Sequence, residues 1–174
     1  MATQNVFRKA KQARELAWNG EFPVDPIAIA ANLTIVKTSN DAEERLPIEM
    51  VGEPLGSLSG YAKFIDDGEA RKFLCAYNTD EALVRQRFTQ AHELGHVLLD
   101  HVSENRTMLR DTTFNAPAGK WEEIDANAFA AELIIPAEHL THLAGRITNI
   151  DRLANYFGVS PTAIHYRLKN LGLI

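Results

Sequence analysis

His92-Glu93-Leu94-Gly95-His96 is the chemically richest run in the chain: two histidines four positions apart, with a glutamate directly after the first. On a helix, residues i and i+4 lie on one face about one turn apart, so both imidazoles reach a single metal ion. Zinc takes such nitrogens at about 2.0–2.1 Å in tetrahedral geometry. Glu93 is offset around the helix, which sets it beside the ion, near a water, without making it a ligand. This is the pattern of metal-dependent hydrolases, in which the ion acidifies water and the glutamate takes the proton. A structural zinc site would close its coordination with further side chains, usually cysteines. Only Cys75 is available, and inside the apolar run Leu74-Cys75-Ala76 it reads as a small buried hydrophobe. The site therefore keeps an open position, as catalytic sites do, and one zinc per chain is expected.

Such a motif needs a helix to hold it. From Asp80 to Val102 the residues Val84, Phe88, Ala91, Gly95, Leu98 and Val102 recur at spacings of three and four, with Asp80 as N-cap and Glu81 in the first turn. His92 and His96 fall at the edge of this stripe. Gly95 is costly in a helix interior unless a neighbour packs closely against it. A third ligand must come from elsewhere. Trp121 to Ile135 is the next helical segment, with a stripe of Trp121, Ile124, Ala128, Ala131 and Ile135, and Pro136 ends it. Glu123 and Asn127 share a different face, four apart: a carboxylate for the metal, and an amide to orient a ligand histidine through its second ring nitrogen. Asp125 and Glu132 are competing carboxylates on the Phe129 side, and Glu123 is favoured over Asp125.

The run Phe88-Thr89-Gln90-Ala91-His92-Glu93-Leu94-Gly95-His96, followed by Asp125-Ala126-Asn127-Ala128-Phe129-Ala130-Ala131-Glu132-Leu133-Ile134-Ile135-Pro136, resembles the ImmA/IrrE family of zinc metallopeptidases over roughly Leu58 to Pro136. Members commonly read A-H-E-x-G-H and then E-x-E-A-N-x-F-A-A-x-L-L-M-P. The resemblance implies that His92 and His96 are zinc ligands, Glu93 the catalytic glutamate and Glu123 the glutamate ligand. Asp125 stands where the family commonly has glutamate, and Ile134-Ile135 replace leucine and methionine. The resemblance also implies a narrow protein substrate, typically a helix-turn-helix transcriptional repressor, cut to switch on a mobile-element or stress regulon. In that family a sheet borders the cleft, and peptidases of this type hold extended substrate at a sheet edge.

The expected fold is α+β: a small mixed sheet or hairpin packed on a zincin-like helical core, with a helix-turn-helix-like tail. The metallopeptidase domain is drawn as 1–145 and the tail as 146–174. Val6 to Trp18 and Pro26 to Ala31 read as helices and Leu33 to Lys37 as a strand, while the acidic, proline-punctuated Asp41 to Pro54 reads as a loop. Leu58 to Ile65 and Arg71 to Asn78 flank the turn-rich Asp66-Asp67-Gly68-Glu69, a β-hairpin. Val102 to Lys120, with Pro117 and Gly119, reads as a polar loop bordering the cleft. With 174 residues, 45% of them apolar, the chain buries a proper core. A net charge of −5, one cysteine, and no long apolar run or signal peptide point to a cytoplasmic protein without membrane attachment.

Near the C-terminus, Leu153-Ala154, Phe157-Gly158-Val159 and Ser160-Pro161 precede Ala163-Ile164, Arg167-Leu168 and Leu171. This reads as two short helices, with Ser160 as N-cap of the second. In DNA-binding versions the second helix would present Thr162, His165, Tyr166 and Lys169. From Asn149 to Ile174, Arg152, Arg167 and Lys169 oppose Asp151, a net of +2 that is thin for phosphate binding. His101 reads as a surface residue or one near the C-terminal end of the metal helix. His139 and His142, spaced by three, belong to an amphipathic run with Leu140 and Leu143. His139, His142, Tyr61 and Tyr77 are candidate oxyanion donors. Two alternatives stand beside the peptidase: a regulatory protein that keeps the metal fold for partner binding without cleavage, and a DNA-binding regulator acting through Arg167 and Lys169.

Overall fold

The structure, a computed structural model, describes residues 4–39, 42–111 and 121–174. Helices α1 (Gln4–Ala17) and α2 (Pro26–Ala31) precede strands β1 (Thr34–Ser39), β2 (Ala42–Glu53), β3 (Leu58–Asp66) and β4 (Arg71–Asn78). Helix α3 (Leu83–Leu98) and strand β5 (Met108–Asp111) follow, and then α4 (Trp121–Ile134), α5 (Ala137–Ala144), α6 (Ile150–Phe157) and α7 (Pro161–Asn170). The five strands form one mixed sheet in the order β1-β2-β4-β3-β5. Helix α3 lies on β3 and β4, α4 packs across α3, and α1 packs on α4. Among the described residues no helix is long and apolar enough to cross a membrane.

The expected hairpin is present: β3 and β4 pair antiparallel from Gly60↔Tyr77 to Asp66↔Arg71. Asp67 Oδ1 closes its turn by accepting from the backbone N–H groups of Glu69 (3.0 Å) and Ala70 (2.7 Å). Asp25 caps α2 by accepting from Ile27 and Ala28, with Pro26 in the first turn, where its missing N–H costs nothing.

Two expected loops prove to contain strands. Residues 42–53 form β2, which pairs antiparallel with β1 up to Thr34↔Pro47 and parallel with β4 from Ile48↔Phe73 onward. Pro47 lacks an N–H and stands where the strand changes partner, so its presence does not break a continuous ladder. The alternation of buried Leu46 and Ile48 with exposed Pro47 and Glu49 is an ordinary strand pattern, hidden under acidic residues and two prolines. Residues 108–111, inside the expected loop after the metal helix, form β5 on the outer side of β3. Residues 112–120, with Pro117 and Gly119, lie outside the described residues.

Helix α3 is shorter than Asp80 to Val102, and Asp80 is not its cap. Ala82 occupies the N-cap position without a side-chain bond. Asp80 is used in a turn organised by Asn78, a buried amide that accepts from the Leu55 and Asp80 N–H groups and donates to the carbonyls of Gly56 and Leu58. The helix is not amphipathic around the motif: every residue from Thr89 to Val97 is buried, because the sheet covers one side and α4 the other. Gly95 makes that approach possible, since a Cβ there would stand 2.9 Å from the Phe129 ring. On α4 the buried residues are Ala126, Phe129, Ala130, Glu132, Leu133 and Ile134, while Trp121 and Ile124 of the expected stripe are exposed.

The expected C-terminal helix pair is present. Ser160 caps α7 by accepting from the Ala163 N–H, and Gly158 ends α6 in a left-handed conformation (φ 64°). Arg87 of α3 donates to the Gly158 carbonyl at 2.6 Å and ties that turn to the metal helix. Arg167 is not available to DNA phosphates. It is buried, donates from Nε to the Ile135 carbonyl at 3.1 Å, and ion-pairs with Glu132. Glu132 also meets Arg14 of α1 at 3.2 Å. This competing carboxylate is therefore the hub that joins α1, α4 and α7, not a metal ligand.

Candidate metal centre

Three side chains from two helices converge. His92 Nε2 and His96 Nε2 are 3.0 Å apart. Glu123 of α4 brings Oε2 to 3.2 Å from the first and Oε1 to 3.3 Å from the second. Ligand atoms held tetrahedrally around zinc at about 2.0–2.1 Å stand about 3.3–3.4 Å from each other. The observed separations lie within a few tenths of an ångström of those edges, and the donor set of two imidazoles and one carboxylate suits a zinc ion with one position left open. The residues fit the metal. Asp125, the rival ligand, is not in this group, which among the described residues is the one cluster of three metal-ligating side chains.

Each histidine is oriented from behind. Asn127 Oδ1 lies 3.0 Å from His92 Nδ1. An amide oxygen only accepts, so the ring proton sits on Nδ1 and Nε2 keeps its lone pair for a metal. The spacing of Glu123 and Asn127 on one face of α4 thus places a candidate ligand and the partner of another candidate ligand on a single ladder. His96 is treated the same way by a residue that sequence reasoning left at the surface: His101 Nδ1 is 2.9 Å from His96 Nδ1. For His96 to ligate through Nε2, its Nδ1–H must donate and His101 must accept. Burial is the main cause that pushes the His101 pKa down to about 4, which keeps that ring neutral and able to accept.

His101 gets there through the end of the helix. Beyond the C-cap Leu99, Asp100 adopts a left-handed conformation (φ 61°). The His101 N–H bonds back to the His96 carbonyl at 2.9 Å, and the Asp100 N–H to that of Val97 at 3.2 Å. This is the Schellman pattern, with an aspartate where glycine is usual. The chain folds back over its own last turn and lays His101 against His96. No helix-period pattern could show this, because the contact depends on the helix stopping at Leu98.

His92 and His96 are 0% and 1% exposed, so a charged form of either would be costly without a partner. Burial raises the Glu123 carboxyl, but hydrogen bonds and charge from His92 and His96 outweigh it and hold the group well below the usual carboxylate range. Glu93, 1% exposed, faces the sheet, where a Cβ on Gly60 would come within 2.9 Å of its Oε1. Gly60 leaves the space the carboxylate uses. Cys75 is buried on the strand beneath, and burial, with Glu93 nearby, pushes its thiol well up, so it is neither thiolate nucleophile nor ligand.

Tyr61 and His139, two of the candidate oxyanion donors, are engaged elsewhere. Tyr61 faces away from α3, and its hydroxyl donates to Glu53 at 2.6 Å; burial and that carboxylate push it up to about 12. Tyr77 lays its ring over Gly52 of β2. His139 packs edge-on to Phe22 (5.0 Å between ring centroids) and Trp18 (5.9 Å), and His142 is exposed on α5.

Comparison with curated proteins gives no match to this chain. A family model does match: that of the peptidase M78 family, described as the IrrE N-terminal-like domain, over residues 43–169. The matched region runs from β2 to α7 and so contains both helices that carry the triad, the Schellman turn that carries His101, and the strand that makes room for Glu93. A match over that much of the chain, on a site whose donors already converge for a metal, shows that the protein belongs to the ImmA/IrrE family of metallopeptidases.

Proposed function

We propose that this protein is a zinc-dependent endopeptidase that cuts a specific protein substrate, a helix-turn-helix transcriptional repressor, and so relieves repression of a mobile-element or stress regulon. The observation that carries the peptidase reading is the approach of His92, His96 and Glu123 to within 3.0–3.3 Å of one another, with Glu93 on the same helix turn. His92 and His96 would hold the ion through Nε2 and Glu123 through its carboxylate. Zinc there supplies a Lewis acid for water and for the scissile carbonyl. Glu93 acts as general base, accepting the proton of the attacking water and delivering one to the leaving amine nitrogen. Asn127 and His101 keep the ring protons on Nδ1, so both Nε2 lone pairs stay directed at one point. An extended substrate segment lies along β5, the edge strand beside Gly60 and Glu93. The reading places the protein in the cytoplasm, where such a repressor is met.

Elemental analysis of the wild type beside His92→Ala, Glu123→Ala and Asp125→Ala tests the metal. About one zinc per chain is expected, lost in the first two variants and kept in the third. Glu93→Gln tests the chemistry: it retains zinc and loses cleavage. If Glu93→Gln restores the regulatory effect in cells as well as the wild type does, the protein works by binding and the peptidase reading fails.

A further inference from the structure

A helix leaves its last four carbonyls without intrahelical partners, and those of α3 must be satisfied from outside it. The turn that follows α3 serves three of them. The Leu99 N–H bonds to the Gly95 carbonyl at 2.9 Å, that of His101 to His96 at 2.9 Å, and that of Asp100 to Val97 at 3.2 Å. The fourth carbonyl, Leu98, accepts from Lys9 Nζ of α1 at 2.5 Å. The same ammonium stands 3.4 Å from Asp100 Oδ2, and a cation there also suits the negative end of the helix dipole. Lys9 thus reaches the last residue of the metal helix and the left-handed residue directly before His101. Its place on α1 allows this: it follows the buried Val6 by three and precedes the buried Ala13 by four, at the edge of the stripe that α1 buries. Five residues on, Arg14 donates to the Glu132 carbonyl and meets its carboxylate at 3.2 Å. One helix therefore braces both helices that carry the triad, although it precedes the residues matched by the family model, 43–169.

We propose that Lys9 is a positioning residue of the metal centre. By holding the Leu98 carbonyl it fixes the turn that lays His101 on His96 Nδ1, and so supports the tautomer in which His96 offers Nε2 to the ion. It acts through the carbonyl rather than through Asp100, whose side chain is 82% exposed, so that water screens the ion pair. Without the ammonium the Leu98 carbonyl loses its donor, the turn loosens, and His101 spends time away from His96. The effect is smaller than that of losing His101 itself, since the turn keeps its own three bonds; a partner directly behind a ligand is worth about 10–100-fold in metal affinity. The proposal rests on the metal reading of the site for its consequence, whereas the link from Lys9 to His101 belongs to the protein alone.

Two measurements on the full chain test it. In the metal-free protein, hydrogen exchange at the His101 amide reports on the turn: Lys9→Met speeds it by about tenfold while the Leu94 amide, inside α3, keeps its rate. With zinc alone as the probe, competition with a chromophoric chelator reports on the centre. Lys9→Met weakens zinc by about three- to tenfold, and Lys9→Arg, which keeps a charged donor, recovers most of the loss. Asp100→Asn and Lys11→Met, a change of charge on α1 away from the turn, bind zinc as the wild type does. In a His101→Ala background Lys9→Met causes no further loss. A merely structural role would lower the urea midpoint and leave the zinc affinity of the folded protein unchanged, or would weaken zinc equally in both backgrounds. Either result, or a His101 amide that exchanges at the wild-type rate, overturns the proposal. A wild type that takes up no zinc overturns the metal reading and this consequence with it, and is told apart because the exchange measurement does not involve the ion.

Discussion

Replacing His101 with alanine isolates what orientation of a ligand contributes to the metal centre. His96 is 1% exposed, and its Nδ1 has His101 Nδ1 as partner at 2.9 Å. In the metal-free variant the His96 ring retains a choice, because its proton moves to Nε2 when that suits the pocket. Metal binding removes the choice by fixing Nε2 as ligand, so the proton stays on Nδ1 with no acceptor. A buried donor left unsatisfied costs about 1–3 kcal/mol. That cost falls on the bound state alone and appears in the zinc affinity, as a loss of about 10–100-fold. Competition with a chromophoric chelator at fixed pH reads it directly. His101→Gln, whose side-chain oxygen accepts, should recover part of the loss, and the exposed His142→Ala serves as control. Asp100→Gly keeps the left-handed turn and should bind zinc as the wild type does, whereas Asp100→Ile, β-branched in that conformation, should weaken zinc by displacing His101. A dissociation constant for His101→Ala within twofold of wild type, or a Gln variant no better than Ala, would refute the reasoning.

Three further outcomes follow from the same geometry. Glu132→Gln strands the buried guanidinium groups of Arg14 and Arg167, whose side chains are 10% and 7% exposed; urea unfolding should show a loss of about 3–5 kcal/mol with zinc stoichiometry retained, and a loss below about 1 kcal/mol would contradict the hub. Gly60→Ala places a Cβ 2.6 Å from Thr89 Cγ2 and 2.7 Å from the Ala76 carbonyl; since that backbone oxygen is fixed in the sheet, calorimetry should show about 1–3 kcal/mol of destabilisation, together with loss of Glu93-dependent cleavage and unchanged metal content. Chelation should lower the melting temperature of the wild type, by the equivalent of about 2.7 kcal/mol at free zinc one hundred times the dissociation constant, and should leave His92→Ala unmoved.

Much of the site was legible because its determinants are local. The spacing of His92 and His96, and of Glu123 and Asn127, is fixed by helical geometry once the two helices are recognised, and the structure brings all four together. The burial around them was less legible. Periodicity assumes that a helix has one wet face, and α3 has none over its central turns, so a stripe with the histidines at its edge misdescribed residues that are fully enclosed. Trp121 and Ile124 misled in the opposite direction, as apolar residues left exposed at the start of α4. Composition hid β2: acidic residues and two prolines spoke for a loop, while Leu46 and Ile48 carried a strand's alternation. Arg167 and Glu132 each look like surface charges in sequence, and only the packing of three helices makes them a buried pair.

The residues that orient the ligands and those that support them differ in how they are specified. Asn127 follows Glu123 by four, so one helix face supplies both a candidate ligand and the amide behind His92. His101 depends on a helix that ends at Leu98 and on Asp100 accepting a conformation usually left to glycine. A shift of one residue in that end would keep the His92-Glu93-Leu94-Gly95-His96 motif intact and lose the bond to His96. The motif alone therefore does not specify a competent metal centre: it supplies two imidazoles and a carboxylate, while the tautomer that would let His96 ligate through Nε2 is set by a turn outside it.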